Sequence, residues 1–427
     1  MPRLTRNTLA GSTAAFIATL TLGAGTALAE APYIVTSGAD SGAGSLREGL
    51  ASGATLIRIN PAVDTITTDS ALVYAGTDPL RIYGNNTVIE ASGDFNVLEL
   101  SQGASLRANQ LTLMGPGGFD FDNGGTGKGL FIQVPNERTG TVNVELIDVV
   151  VMGVANHGIH VSDCTLGDDC GSGGGGGGDG SPASISMVAR GVVVDDAGNG
   201  KFDADGIRID ERADGGITFL ATDSVFMNVG ADGVELDEGN NGNVQIEVWR
   251  TDFMNNGGYC LPAPLDVTEP CVEDDDGELV LDLDDGFDID EAGPGSLTGS
   301  ITVATVSGNL DEGLDFDEED DGGVTFDFVR ITGTDNGDEA IKISAAGAGD
   351  VHAEVLNSTV TGNGNDGAEF EAEDGDGEVH VRIGNSTLEG NDSEGVAAAQ
   401  ENTENLGTIR IRESTVDELD LENVEEI

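Results

Sequence analysis

Basic residues are scarce in this chain: 18 Lys and Arg stand against 78 Asp and Glu, giving a formal charge of -60 at pH 7. Such a polyanion is excluded from ordinary electrostatic partnership with DNA, RNA or anionic lipid, because those surfaces need counter-charges that it does not carry. Aromatic residues are also few, with one Trp, four Tyr and fourteen Phe, so stacking of sugar rings on aromatic platforms is poorly supplied. Beyond the opening residues no apolar run reaches the length of a membrane-spanning helix, and no membrane-barrel pattern is seen at the C-terminus. Neither an EF-hand spacing nor a glycine-rich nonapeptide repeat occurs. Only four cysteines are present: Cys164, Cys170, Cys260 and Cys271.

The opening residues differ in composition from the rest. Arg3 and Arg6 precede an apolar stretch, Ala14 to Leu22, and a small-residue site follows at Ala27-Leu28-Ala29. Residues 1–29 therefore read as a secretory signal peptide, with an apolar core too short to span a bilayer. Its removal takes away two basic residues, moving the charge from -60 to -62, and leaves residues 30–427 as one exported domain, extracellular or periplasmic. In that setting an even cysteine count predicts disulfides. Four cysteines allow three pairings; proximity favours Cys164 with Cys170 and Cys260 with Cys271, each closing the neck of an inserted loop. These loops cover about 163–181, with six consecutive glycines from Gly173 to Gly178, and about 257–284, with Pro262, Pro264 and Pro270.

A repeat organises the second half. An acidic residue, then Gly or Ala, then an alternating apolar strand recurs as DGIRIDE from Asp205, DGVELDE from Asp232, DGFDIDE from Asp285, EGLDFDE from Glu312, EAIKISA from Glu339, DGAEFEA from Asp366 and EGVAAAQ from Glu394. The steps between first residues are 27, 53, 27, 27, 27 and 28, and the 53 reads as two periods with one anchor lost to an insertion. A fixed period in this range predicts a solenoid, whose turns bury their apolar faces only by stacking. Alternation points Ile207 and Ile209 inward and Arg208 and Asp210 outward. The inward pair recurs as Val234/Leu236, Phe287/Ile289, Leu314/Phe316, Ile341/Ile343 and Ala368/Phe370. A second strand follows each Gly-rich corner, as at Ile217 to Leu220 and Val324 to Phe328, and a third, shorter apolar element precedes an Asn-containing turn. Asn309, Asn336, Asn363 and Asn391 lie 27, 27 and 28 apart and are expected to stack as an amide ladder.

Three strands per turn, Gly/Asn/Asp corners and the Asn ladder together resemble the right-handed parallel β-helix superfold of pectate lyases and many other secreted bacterial proteins. The segment YIVTSGADSGAGSLREGL, Tyr33 to Leu50, looks like the opening of many exported β-helix proteins, with Ser45-Leu46-Arg47-Glu48 in a short helix that covers the open end of the first coil. The expected fold is an all-β, single-stranded right-handed parallel β-helix with about 27 residues per coil and a short N-terminal capping helix. Residues Val416 to Ile427 are expected to cap the other end.

Chemistry is expected on the outward face of the anchor strands. Aligned by their glycines, the coils place Phe131, His160, Arg208, Glu235, Asp288, Asp315, Lys342 and Glu369 in one column, and Gln133, Ser162, Asp210, Asp237, Asp290, Asp317, Ser344 and Glu371 in the next. One residue further on, Glu211, Glu238, Glu291 and Glu318 also line up. Like charges at the roughly 4.8 Å strand spacing repel by about 1 kcal/mol per pair in water and more at a protein surface. Bound cations would offset this, and oxygen ligands on adjacent strands suit Ca²⁺. Asp210, Asp237, Asp288, Asp290, Asp315 and Asp317 are the candidate ligands; the competing expectation is a solvated acidic surface screened by salt. A Ca²⁺-loaded face suits a binding protein that reaches an anionic polysaccharide or a cell surface through bridging cations. The resemblance to pectate-lyase-like enzymes implies an alternative, a polysaccharide lyase or epimerase acting on uronate-containing polymers. Basic and acidic groups meet on the anchor face only at Lys128, His157, His160, Asp205, Arg208 and Asp210, so His157, His160 and Arg208 are the candidate catalytic residues. No lyase signature and no polygalacturonase-type aspartate trio accompanies them.

Overall fold

The structure, a computed structural model, describes residues 31–119, 124–164, 180–258, 272–273, 279–280, 283–373 and 375–427. From Pro32 onward the chain is a right-handed parallel β-helix. An anchor sheet takes one strand from each of twelve successive turns in chain order, from Leu72–Tyr74 through Ile207–Glu211, Val234–Gly239, Phe287–Ala292, Leu314–Glu318 and Ile341–Ala345 to Leu419–Glu422. The second and third elements of each coil share one flanking sheet. In Val244–Met254, Leu297–Ser307 and Val324–Thr334 they run together through a single left-handed residue, Arg250 (φ 50°), Val303 (φ 61°) or Arg330 (φ 59°). This bend turns the coil without a loop.

The repeat motif has a physical origin. The first-position carboxylate accepts a backbone N–H from the next coil: Asp232 Oδ1 from Asp285 at 2.5 Å, Asp285 Oδ1 from Glu312 at 2.7 Å and Asp366 Oδ1 from Glu394 at 2.7 Å. The glycine that follows is required by close approach. A Cβ on Gly206, Gly233 or Gly286 would stand 2.4 Å from the carbonyl oxygen of the equivalent glycine one coil on. The 53-residue step is corrected here: Val234–Gly239 pairs directly with Phe287–Ala292, and Val244–Met254 with Leu297–Ser307. It is one coil carrying an insertion, not two coils with a lost anchor.

Inside, the expected inward pairs form the core, and the phenylalanines are largely spent there. Phe226, Phe253, Phe287 and Phe316 follow one another at centroid separations of 5.5, 5.3 and 5.3 Å. The amide ladder forms and gains a rung, with Nδ2 of Asn256, Asn309, Asn336 and Asn363 each donating to Oδ1 of the next Asn at 2.8–3.0 Å. The helix spans Leu46–Ala51. Ser45 caps it by accepting the Glu48 N–H at 3.2 Å, while Glu48 Oε2 accepts from Gly44 N at 2.8 Å. Leu46 and Leu50 enter the core. The segment expected as a C-terminal cap instead continues both sheets as Leu419–Glu422 and Val424–Glu426.

Residues 1–29 lie outside the described residues, as do Cys170, Cys260 and Cys271, so the signal peptide and both disulfide pairings fall there; Cys164 is buried. Within the second insertion Val272–Glu273 pairs antiparallel with Leu279–Val280. The ladder should be energetically visible. N336A removes the oxygen that accepts from both Asn309 N and Asn309 Nδ2 and the amide that donates to Asn363 Oδ1, which keeps only the backbone N–H at position 336, and should cost about 2–3 kcal/mol in urea denaturation, whereas T325A on the exposed face should change stability by less than about 0.5 kcal/mol.

Candidate functional site: an ionic wall on the anchor sheet

Parallel, in-register pairing brings residues one coil apart side by side, and both expected outward columns form as aligned above. Their surroundings differ from expectation. Arg208, Asp210, Glu235, Asp237 and Asp315 are buried, Asp210 completely, and Asp288, Asp290 and Asp317 are half-buried. A freely solvated acidic surface does not describe them.

At one end of the wall, cations and carboxylates form a continuous network. Lys128 Nζ meets His160 Nδ1, His160 Nε2 lies 2.6 Å from Asp210 Oδ2, and Arg208 Nε donates to Asp210 Oδ1 at 2.8 Å. Arg208 also donates to Glu235 and Asp237, and to Asp205 at 3.5 Å; Arg212 Nη2 reaches Asp237 Oδ2 at 2.5 Å. His157 Nδ1 accepts the Asp205 backbone N–H at 2.9 Å, and its ring centroid is 4.5 Å from that of His160. The three candidate catalytic residues are thus brought together. Burial, reinforced by Lys128, lowers His160 to about 4 and His157 well below the usual imidazole range, so both rings are neutral near pH 7. The neutral His160 ring donates from Nε2 to Asp210 and accepts at Nδ1 from Lys128. Burial brings the half-buried Lys128 down to about 8. For Asp210 burial acts upward, but Arg208 and His160 together outweigh it and hold the carboxyl well below its usual range.

At the other end Lys342 Nζ donates to Asp315 Oδ2 at 2.7 Å and Glu312 Oε1 at 3.1 Å, and Ser344 Oγ to Asp317 Oδ1 at 2.7 Å. Between Arg208 and Lys342, Asp232, Asp285, Asp288 and Asp290 have no basic partner within ion-pair distance among the described residues. Carboxylate oxygens converge to within 4.8 Å in the sets Asp232/Glu235/Asp288, Glu235/Asp237/Asp290 and Asp285/Asp288/Asp315. Asp237 Oδ1 and Asp315 Oδ1 are buried without a hydrogen-bond partner. Burial, then repulsion from Asp237, lifts Asp290 to about 8; burial with Asp290 lifts Asp288 well above its usual range, and burial with Asp317 does the same for Asp315.

Of the six expected metal ligands, Asp237, Asp288, Asp290 and Asp315 fall in these sets. Asp210 has both oxygens engaged by His160 and Arg208, and Asp317 gives one to Ser344. Asp232, Asp285 and Glu235 were not among the six, although the repeated acidic first position was the signal for two of them. Arg212 lies at a corner, where strand alternation gives no direction. Trp249 belongs to the flanking sheet and is 45% exposed, with the Arg250 guanidinium 3.6 Å from its ring centroid.

No protein-family model matches the chain, and no curated protein matches its sequence. Among solved structures it is similar to the Dettilon tailspike protein gp208, at 10% identity and a TM-score of 0.41, covering 88% of this chain and 62% of the tailspike. A mutant of the periplasmic alginate epimerase AlgG aligns at 8% identity and a TM-score of 0.34, covering 88% of this chain and 78% of the epimerase. ORF18 of Geobacillus virus E2 aligns at 12% identity and a TM-score of 0.36, covering 88% and 62%. The chain therefore spans less than two thirds of the tailspike's length.

The raised carboxyls set a pH dependence. Asp205 at about 7 and Glu211 and Asp290 at about 8 hold protons in the folded state that unfolded carboxyls release near their ordinary values. Folding therefore takes up protons, and stability falls as pH rises through about 7 to 8. His157 and His160 act oppositely below about 6.5 but are outnumbered. In chelator, the melting temperature should rise as pH is lowered from about 8 to 6; a flat or opposite scanning-calorimetry profile contradicts this assignment.

Proposed function

We propose that the protein is an exported β-helix whose acidic wall binds Ca²⁺ and, through it, an anionic polysaccharide or a cell surface. One observation carries the reading: the chain supplies its own cations at both ends of the wall, Arg208 with Arg212 and Lys342, and none between them among the described residues. Carboxylates stacked at strand spacing and withdrawn from water repel more strongly than they would in bulk solvent. Divalent cations relieve that repulsion, and convergent carboxylate oxygens are the ligands Ca²⁺ prefers. Asp232, Glu235, Asp285, Asp288, Asp290 and Asp315 would hold the ions. The half-buried Asp288 and Asp290 leave a side on which a bound ion meets a carboxylate from outside.

Calorimetry with Ca²⁺ at moderate ionic strength should give saturable heat, and the ion should raise the melting temperature. D288N/D290N should weaken that binding at least tenfold. Absence of saturable heat together with an unchanged melting temperature sinks the cation wall. Alginate and pectate beads should retain the protein with Ca²⁺ and release it in EDTA.

The lyase or epimerase reading draws support from Lys128. Its amine is the half-buried outer end of a Lys128–His160–Asp210 chain and is brought by burial to about 8, within reach of a general base near neutral pH. On this reading Arg208 and His157 are positioning residues, since both are buried and bonded to other side chains or backbone. Unsaturated products from alginate or pectate, lost in K128M, would establish a lyase, and a changed ratio of uronate epimers by NMR an epimerase; neither change, with and without Ca²⁺, leaves the binding reading alone.

A further inference from the structure

A second set of carboxylates lies at the ends of the same anchor strands but on their other side. Glu211, Glu238, Glu291 and Glu318 stand in register on four successive coils. Their sequence alignment beside the outward columns is misleading, because they share the parity of the core pair Ile207/Ile209 and turn under the corner, each 1% exposed or less. Four residues after each comes a glycine: Gly215, Gly242, Gly295 and Gly322. A Cβ on Gly242 would stand 1.8 Å from Glu238 Oε1 and 1.9 Å from the Gly215 carbonyl oxygen. On Gly295 it would stand 1.9 Å from Glu291 Oε1 and 2.0 Å from the Gly242 carbonyl oxygen. Each corner is thus crowded by carboxylate and carbonyl oxygens, and the two nearest atoms at each are acceptors.

Donors serve the ends of this column and desert its middle. Asp163, the aligned residue one coil before Glu211, accepts from Ser181 N at 2.7 Å and Arg212 N at 2.9 Å. Glu211 Oε1 accepts from Gly215 N at 3.2 Å, and Glu318 Oε1 from Asp320 N at 3.1 Å and Gly322 N at 2.9 Å. Gln400, further along the same column, donates its amide to the Asn402 and Asn405 carbonyls at 2.8 Å. In Glu238 and Glu291, both 0% exposed, three features coincide among the described residues: no donor reaches any of four carboxylate oxygens, a neighbouring carbonyl adds a further acceptor, and no basic side chain stands within ion-pair distance. Buried acceptors facing acceptors need something positive between them.

We infer that Glu238 and Glu291, with the Gly215 and Gly242 carbonyl oxygens, form an internal divalent-cation site beneath the glycine corner, separate from the acidic wall. The ligand set, two carboxylates and backbone carbonyls, is that of a hard cation such as Ca²⁺. The ion ties consecutive coils together from within, so it stabilises the solenoid and has no need of a polymer. Protons shared between adjacent carboxyls are the competing occupant. Gln separates the two, since it keeps the shape and the neutral, donor-bearing character of a protonated Glu while removing the charge that holds a cation.

The experiment uses the whole protein, freed of metal by chelation and titrated with Ca²⁺ in a calorimeter near neutral pH. E238Q/E291Q should fold by circular dichroism, bind at least one Ca²⁺ fewer per chain than wild type, and show a smaller Ca²⁺-induced rise in melting temperature. D288N/D290N should retain that ion, which distinguishes loss of this site from loss of the wall. Unchanged stoichiometry and affinity in E238Q/E291Q overturn the proposal and assign the column to protons. A readout independent of mutation comes from wild-type crystals grown with Ca²⁺: an anomalous peak is expected between the Glu238 and Glu291 carboxylates, and an empty position there also overturns it.

Discussion

Parallel stacking of coils without slippage is the constraint on which everything else in this molecule depends. Each turn passes its strand N–H groups to the next, so the backbone is satisfied only if neighbouring coils keep register. A side chain at a given position then faces its own equivalent one strand spacing away. Stacking multiplies whatever chemistry a position carries. Phenylalanines become a continuous aromatic core, asparagines a chain of amides that each donate and accept, and glycines a path along which backbones approach too closely for any Cβ.

For carboxylates the same multiplication is costly, and the structure answers it in two ways. The first-position aspartates accept the backbone N–H of the coil that follows, so their charge is met by peptide dipoles. At the two ends of the outward wall the chain inserts cations, Arg208 and Arg212 on one side and Lys342 on the other. At Asp288 and Asp290 in the middle of the wall, and at Glu238 and Glu291 in the inner glutamate column, neither answer is present among the described residues. Those carboxylates stand among converging oxygen atoms with no basic side chain of their own among the described residues. A chain carrying -60 charges is under general electrostatic strain, but the local problem is sharper, because burial removes the solvent screening that surface acids enjoy.

The network around Arg208 is the best-organised polar part of the molecule. It links four coils, two of them through the Arg208 guanidinium itself, and leaves a neutral His160 between a lysine and an aspartate. Such an arrangement both rigidifies the anchor sheet and presents Lys128 at its edge. Rigidity suits either reading of function, since bridging cations and a positioned base each demand fixed oxygen and nitrogen atoms.

Much of this was legible in the chain. The glycine alignment and the 27-residue period predicted the aligned pairs in the outward columns and the amide ladder, because in a solenoid neighbourhood along the axis is a matter of counting residues; the capping helix at Ser45 followed from the resemblance of Tyr33 to Leu50 to the opening of exported β-helix proteins. The 53-residue step was misread, as an insertion within one coil and a lost anchor between two have the same length. Glu211 and its equivalents were aligned correctly but grouped with the wrong face, although the parity of Ile207 and Ile209 held the clue. What only the tertiary structure decided is which charges are buried, which have a partner and where Arg212 points. Those depend on corners and on segments outside the repeat, which lie across the strands rather than along them. A period encodes translation along one axis; the dielectric and the donors around each carboxylate come from the other two dimensions.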